Sequence, residues 1–213
     1  MTRHWTPPAG MAARGTAVVL TGRGEHPGVY QRFGTRLAKD GYRVVATSAE
    51  QAPEAIARIT GTVVLVGSDI GAVAALSLAD VPGVDAVVIA GLPHGAGPTL
   101  PWAEELAERT SCPDHRALLE GDREFVRGAL NTEPDLALAT EIGVPALFLH
   151  GGADAVADIA VASVIAERVG ARFVEVPGGK HDVLNDLDHD SVATEVVEFL
   201  ERVRTGAAVL ARA

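Results

Sequence analysis

The chain alternates between short, almost wholly apolar runs and stretches in which apolar residues recur at helical spacing. Six runs have the apolar, β-branched make-up of strands covered on both faces: Thr16–Thr21 (TAVVLT), Tyr42–Thr47 (YRVVAT), Thr62–Gly67 (TVVLVG), Asp85–Gly91 (DAVVIAG), Pro145–His150 (PALFLH) and Arg172–Pro177. Between them the pattern predicts helices over Pro27–Asp40 (ended by Gly41), Ala52–Ile59, Ile70–Ala79 and near Ala157–Gly170, with a last helix from about Ser191 to Arg204. Strand and helix in alternation point to an α/β fold class: a mostly parallel sheet of about six strands flanked by helices. The opening stretch, Met1–Arg14, has Trp5, Pro7, Pro8 and Gly10 but no apolar core and reads as a surface arm.

One segment breaks the alternation. Leu92–Gly143 separates two strands by far more than an ordinary connection. Helical patches are expected at Trp102–Thr110, His115–Leu119 and Arg123–Leu130. Ligands of open α/β sheets bind beyond the carboxyl ends of the strands, where long connections gather. The expected organisation is a single domain, 1–213, with a small helical cap insertion at 92–143.

Composition narrows the picture. Of 213 residues, 23 are glycine and only 4% are aromatic, which favours tight strand–helix turns over an aromatic-rich sandwich. A formal charge of −10 speaks against a nucleic-acid partner. The single cysteine, Cys112, excludes an intrachain disulfide and Cys-rich metal sites and fits a reducing cytoplasm. No apolar run approaches the roughly 20 residues that span a bilayer, so stable membrane insertion is not expected. The expected partner is a small-molecule substrate, with no cofactor and no metal, and the oligomeric state is left open.

The candidate chemistry starts at Gly67-Ser68-Asp69-Ile70-Gly71, between a valine-rich strand and a helix. This is the context of a nucleophile elbow, where the central residue sits on a strained turn. The positions two before and two after it must be small. With Asp69 central they are Gly67 and Gly71; with Ser68 central they would be Val66 and Ile70, which are bulky and branched. Sterics therefore select Asp69. Two partners follow in chain order. Asp154, in Gly151-Gly152-Ala153-Asp154 just past a strand, is placed to orient an imidazole, and His181, in Gly178-Gly179-Lys180-His181-Asp182, to reach Asp69. The roles would be carboxylate nucleophile, histidine base for water, and second carboxylate holding the tautomer. The glycine-rich turn Thr21-Gly22-Arg23-Gly24-Glu25-His26 adds Gly22 and Arg23, and the backbone amides of Arg23 and Ile70 are the expected oxyanion donors.

Each position also has a plainer reading. Asp69 is a good N-cap for the helix after it, and Asp154 suits a turn or cap equally well. Arg23 either binds an anionic group through its side chain or matters only through its backbone. His26, His94 and His115 read as surface or loop residues, and Glu25-His26 as structural. Trp102 either lines a pocket or packs the insertion.

Gly22 to Tyr30 (GRGEHPGVY) followed by Leu37 to Val44 (LAKDGYRV) resembles the N-terminal motif of monoacylglycerol lipases and lysophospholipases, α/β hydrolases of the serine-aminopeptidase-like group. His150-Gly151-Gly152-Ala153-Asp154 and Gly179 to Asn185 (GKHDVLN) are similar to that family's acid and histidine motifs. The resemblance covers most of the chain outside 92–143. It implies the α/β-hydrolase fold, an ester-type hydrolase, and roles for Asp154 and His181. The chain departs from the pattern in three places. Thr21 stands where the family has histidine, Asp69 where it has serine, and the stretch between Thr47 and Thr62 lacks an Asp-x-x-Gly-x-Gly-x-Ser segment. Aspartate at the elbow resembles epoxide hydrolases and haloalkane dehalogenases, but Ile70 replaces their usual tryptophan, and Tyr30 and Tyr42 both lie outside the insertion. The expected function is an Asp-His-Asp hydrolase of a small ester-like or other electrophilic substrate, with Asp69 covalent or a helper base. The alternative is a binding or regulatory protein on a scaffold that has lost its serine.

Overall fold

The computed structural model describes residues 2–134, 139 and 141–206. Parts of the expected insertion (135–138 and 140), Met1 of the arm and the last seven residues of the chain lie outside the described residues.

Seven strands form one sheet: β1 (Arg3–Trp5), β2 (Thr16–Leu20), β3 (Arg43–Thr47), β4 (Val63–Ser68), β5 (Ala86–Ala90), β6 (Ala146–Gly151) and β7 (Arg172–Val176), in the order β1-β3-β2-β4-β5-β6-β7. β1 pairs antiparallel with β3, and every other pairing is parallel. β2, β4, β5 and β6 are buried along their whole length, as their unbroken apolar runs require. Alternate side chains serve opposite faces. Ala17 and Val19 enter the core under α1 (Gln31–Lys39) and α7 (His189–Thr205), whereas Val18 and Leu20 enter the core under α2 (Ala52–Ala57), α3 (Ile70–Ser77) and α6 (Ile159–Arg168). Among the described residues no helix is long and apolar enough to cross a membrane.

The N-terminal arm is a correction. Arg3–Trp5 adds an antiparallel edge strand, and Trp5 lies over Gly34 of α1, where a β-carbon would come within 2.5 Å of the indole. A missing side chain in the helix makes the bay that docks the strand.

The segment between β5 and β6 carries α4 (Trp102–Arg109) and α5 (Pro113–Gly121), close to the expected patches. The third patch, Arg123–Leu130, is not a helix; it ends in a short 3-10 turn, Ala129–Asn131. Two features account for this. Gly128 has φ 80°, and the Val126 amide donates across the molecule to the Gly24 carbonyl at 2.9 Å instead of back along its own chain. The segment is thereby tied to the loop after β2.

Candidate active site

The parallel sheet sends the loops after β2, β4, β6 and β7 to one edge, and these carry Arg23, Asp69, Asp154 and His181 respectively. Asp69 has φ 51° and ψ −121°, and among the described residues it is the non-glycine residue with positive φ. Such a conformation costs about 1–3 kcal/mol and persists only where the surroundings impose it. The two glycines make room for it. A β-carbon at Gly67 would sit 2.1 Å from the Gly71 carbonyl, and one at Gly71 would sit 2.1 Å from the Leu20 carbonyl. The Asp69 side chain makes no capping hydrogen bond to α3; it turns toward Arg23 and His181.

His181 bridges the two aspartates. Its Nε2 is 3.2 Å from Asp69 Oδ1, and its Nδ1 is 2.8 Å from Asp154 Oδ2. Asp154 serves a turn as well: its Oδ1 accepts from the amides of Val156 at 2.8 Å and Ala157 at 3.0 Å. His150 Nε2 lies 3.3 Å from Asp154 Oδ2 and 3.0 Å from the Ala157 carbonyl. The path of the His181 loop leaves no space at Gly91, where a β-carbon would come within 2.5 Å of the His181 carbonyl.

Arg23 acts through both backbone and side chain. Its amide donates to Asp69 Oδ2 at 2.7 Å. Its Nε donates to the same oxygen at 2.9 Å, and its Nη2 to Asp69 Oδ1 at 2.7 Å. Its Nη1 donates to the carbonyls of Leu130 at 2.9 Å and Thr132 at 2.8 Å, so the segment between β5 and β6 aims the guanidinium. The amide of Gly22 does not face the site; it donates to Glu25 at 2.9 Å and to the Tyr30 hydroxyl at 3.3 Å. Gly22 is still spatially constrained, since a β-carbon there would lie 3.0 Å from that of Asp69. Ile70 and Arg23 both line a cavity of about 500 Å³ beside the elbow.

The charges lock together. Burial pushes the Asp69 carboxyl up, but hydrogen bonds from His181 and Arg23 and their charges outweigh it and hold the group well below the usual carboxylate range. Burial likewise opposes the Asp154 carboxylate, and the charge of His181 holds it down. Burial disfavours the His181 imidazolium, yet Asp154 and then Asp69 push its pKa up to about 10. At neutral pH the resting site is an imidazolium between two carboxylates, with the guanidinium beside one of them. His150 is pushed down, chiefly by burial, and stays neutral.

Sequence reasoning missed the layer next to these residues. His115 is not a surface or loop residue: it is 3% exposed on α5, and its Nε2 is 2.9 Å from Asp182, the neighbour of His181. Arg109 pairs with Glu105 at 2.9 Å, donates to the Arg23 carbonyl at 3.1 Å and lies over the Phe125 ring. The i,i+4 spacing of Glu105 and Arg109 was visible beforehand; its complete burial was not. Glu25 accepts from the Tyr30 hydroxyl, and burial and the charge of Asp182 raise its pKa to about 7. His26 is partly buried against Asp122 at 2.6 Å. Trp102 packs on Phe125 with ring centres 5.6 Å apart. Among the described residues no group of three or more His, Cys, Asp or Glu side chains is arranged to hold a metal ion.

No family model matches the sequence, and no curated protein matches it significantly. Solved structures do. A monoacylglycerol lipase from Paleococcus ferrophilus is similar at TM-score 0.76 and 18% identity, covering 95% of this chain and 98% of the other. A monoglyceride lipase from Saccharomyces cerevisiae is similar at TM-score 0.74 and 14% identity, covering 95% and 91%. An esterase from Exiguobacterium antarcticum is similar at TM-score 0.69 and 18% identity, covering 94% of each chain. At such identities the likeness is one of architecture, and together with the seven-stranded, mostly parallel sheet it establishes that this chain has the α/β-hydrolase fold.

Proposed function

We propose that the chain is a hydrolase acting on a small electrophilic substrate through Asp69, His181 and Asp154, with the segment 92–143 as its cap. The observation that carries this reading is the histidine bridging both carboxylates, at 3.2 and 2.8 Å, over a strained elbow that an idle site has no need to keep. The lipase and esterase neighbours agree with hydrolase chemistry in general.

The geometry favours attack at a saturated carbon over attack at an ester carbonyl. The Arg23 amide, an expected oxyanion donor, is occupied by Asp69 Oδ2. A carbonyl substrate would find that donor taken, whereas displacement at a saturated carbon needs none. In the first step Asp69 Oδ1 forms a bond to carbon, and the leaving group departs with its electron pair. Asp69 is then a neutral ester. His181 has lost one of the two charges that support its imidazolium, so its pKa falls and it releases its proton to the leaving group or to water. In the second step His181 takes a proton from water as the water oxygen adds to the Asp69 carboxyl carbon. Charge develops on Oδ2, where the Arg23 amide already points from 2.7 Å. The bond between the carboxyl carbon and Oδ1 then breaks, the product leaves with Oδ1 as an alkoxide and takes the proton from His181, and the acid proton left on Asp69 passes to His181 and restores the carboxylate and the imidazolium. The sum is one leaving group exchanged for one hydroxyl.

The test uses His181→Gln incubated with a panel of epoxides, alkyl halides and alkyl esters, followed by peptide mass spectrometry. An adduct that accumulates on the Asp69 peptide, and is absent in Asp69→Asn, supports the reading. Undiminished turnover by Asp69→Asn overturns it.

A second reading, a binding protein on a hydrolase scaffold, is favoured by one observation: both Asp69 oxygens are already engaged by Arg23. Saturable ligand binding without turnover, unchanged in Asp154→Ala and His181→Ala, would support it instead.

A further inference from the structure

The covalent cycle changes the charge beside Arg23. Arg23 and Asp69 form an ion pair at 2.7 Å whose side chains are 6% and 4% exposed. Esterification removes the charge of Asp69. Among the described residues, the other hydrogen-bond partners of the guanidinium are the neutral carbonyls of Leu130 and Thr132. A buried guanidinium without a counter-ion is heavily disfavoured. A neutral substrate therefore forms its ester against that penalty, whereas a substrate that carries its own negative charge avoids it.

We infer that Arg23 is the docking point for a carboxylate borne by the substrate, a place the Asp69 carboxylate holds in the resting protein. This rests on the covalent reading above. Three observations carry it. First, the guanidinium is aimed independently of Asp69: its Nη1 is held by Leu130 and Thr132, leaving the edge formed by Nε and Nη2 as the planar fork that matches a carboxylate. Second, Nη2 lies 2.7 Å from Oδ1, the attacking atom, so a carboxylate on that fork belongs to the carbon next to the attacked one, or one further along. Third, Arg23 itself lines a cavity of about 500 Å³, together with Ile70, Val73, Ala74 and Thr132, next to the elbow residue Asp69. Glu50 and Glu133 also border that cavity, both exposed, and their charge opposes a second negative charge on the ligand. The substrate class is a short monocarboxylic acid with its leaving group near the carboxylate, and the product is the corresponding hydroxy acid.

Bromoacetate and bromoacetamide test this, since they differ in charge and little in shape. Each is incubated with His181→Gln, and alkylation is followed on the Asp69 peptide, so that reaction at Cys112 does not count. The expected result is labelling by bromoacetate faster on the order of a hundredfold, slowed by unreactive acetate but not by acetamide. Arg23→Lys, which keeps the charge and loses the fork, is expected to lose most of that preference. Should it fail to fold, acetate protection alone decides the matter. Equal labelling by both reagents, or no protection by acetate, overturns the docking role and leaves the covalent reading standing. No adduct on Asp69 with either reagent overturns both.

Discussion

Asp154 and Asp69 are both aspartates held against one histidine at the carboxyl edge of one sheet, yet they are held by different means. Asp154 is fixed locally: its Oδ1 takes the amides of residues two and three further on, so the turn that carries it also orients it. Asp69 is fixed from a distance. Its partner Arg23 comes from another strand end and is aimed by carbonyls more than a hundred residues further along. A backbone-held carboxylate stays where it is unless the loop unfolds. Asp69 keeps one backbone donor, the Arg23 amide, but the rest of the hold from Arg23 is a side chain, and that part is released when the side chain finds another partner. The second arrangement is the one that the covalent role proposed for Asp69 requires.

The sharpest way to break this contrast is to remove the distant partner. Arg23→Met leaves the buried Asp69 with the imidazolium as its one cationic partner and is expected to destabilise the fold by about 3–5 kcal/mol. The double variant Arg23→Met/Asp69→Leu should recover much of that loss; urea unfolding of the four proteins in the cycle measures it. If the double variant is no more stable than Arg23→Met, the pair is not the unit described. Next in size is the steric demand of the elbow. Gly71→Ala pushes a methyl group to 2.1 Å from the Leu20 carbonyl, and a cost of about 1–3 kcal/mol or more is expected in thermal unfolding.

The charge on His181 sharpens the contrast by titration. Asp154 contributes more than Asp69 to raising its pKa to about 10. Asp154→Asn should therefore lower the value followed by NMR further than Asp69→Asn does. A larger drop in Asp69→Asn would reverse the ranking of the two carboxylates. The same group sets a pH window. Its pKa is raised from an ordinary 6.5, so its contribution to stability is complete below about pH 6.5 and declines until it is gone above about pH 10. Asp69 and Asp154 are lowered from an ordinary 3.8, so theirs is present above about pH 4 and lost as pH falls below it. The stability difference between the parent and His181→Gln should shrink from pH 6 to pH 9; a constant difference would sink the bridging imidazolium. The smallest effect is expected at Gly128, whose φ of 80° is unfavourable for other residues although open space surrounds it. Gly128→Ala should cost about 1 kcal/mol, and because it precedes the turn carrying Leu130, it should loosen the hold on Arg23 without touching Asp154.

The parts legible in the sequence share a physical reason: they depend on near neighbours. Apolar runs marked β2 to β7 because burial on both faces admits little else. Gly67 and Gly71 singled out Asp69 over Ser68 because the tight turn tolerates no side chain at either place. Asp154 and His181 followed from their positions just beyond strands. What stayed hidden depends on distant contacts. The ion pair of Arg23 and Asp69 joins residues 46 apart, and the sequence left open whether backbone or side chain of Arg23 mattered; both engage Asp69. Three residues of β1 carry too short a pattern to announce an edge strand. Arg123–Leu130 has helical spacing but spends its amide at Val126 on Gly24. His115 looked like a loop residue because Asp182, 67 residues further along, is brought against it only by the fold.

The elbow conformation at Asp69 has a practical consequence for how such a protein is found. Reagents that survey hydrolases by phosphonylating an activated serine have no hydroxyl to attack at this turn, because the strained position carries a carboxylate. Ser68 beside it is only 3% exposed, at the end of β4. A survey of that kind would pass over this chain. With Asp69 as the nucleophile we propose, electrophiles that esterify carboxylates are the reagents that bring it into view.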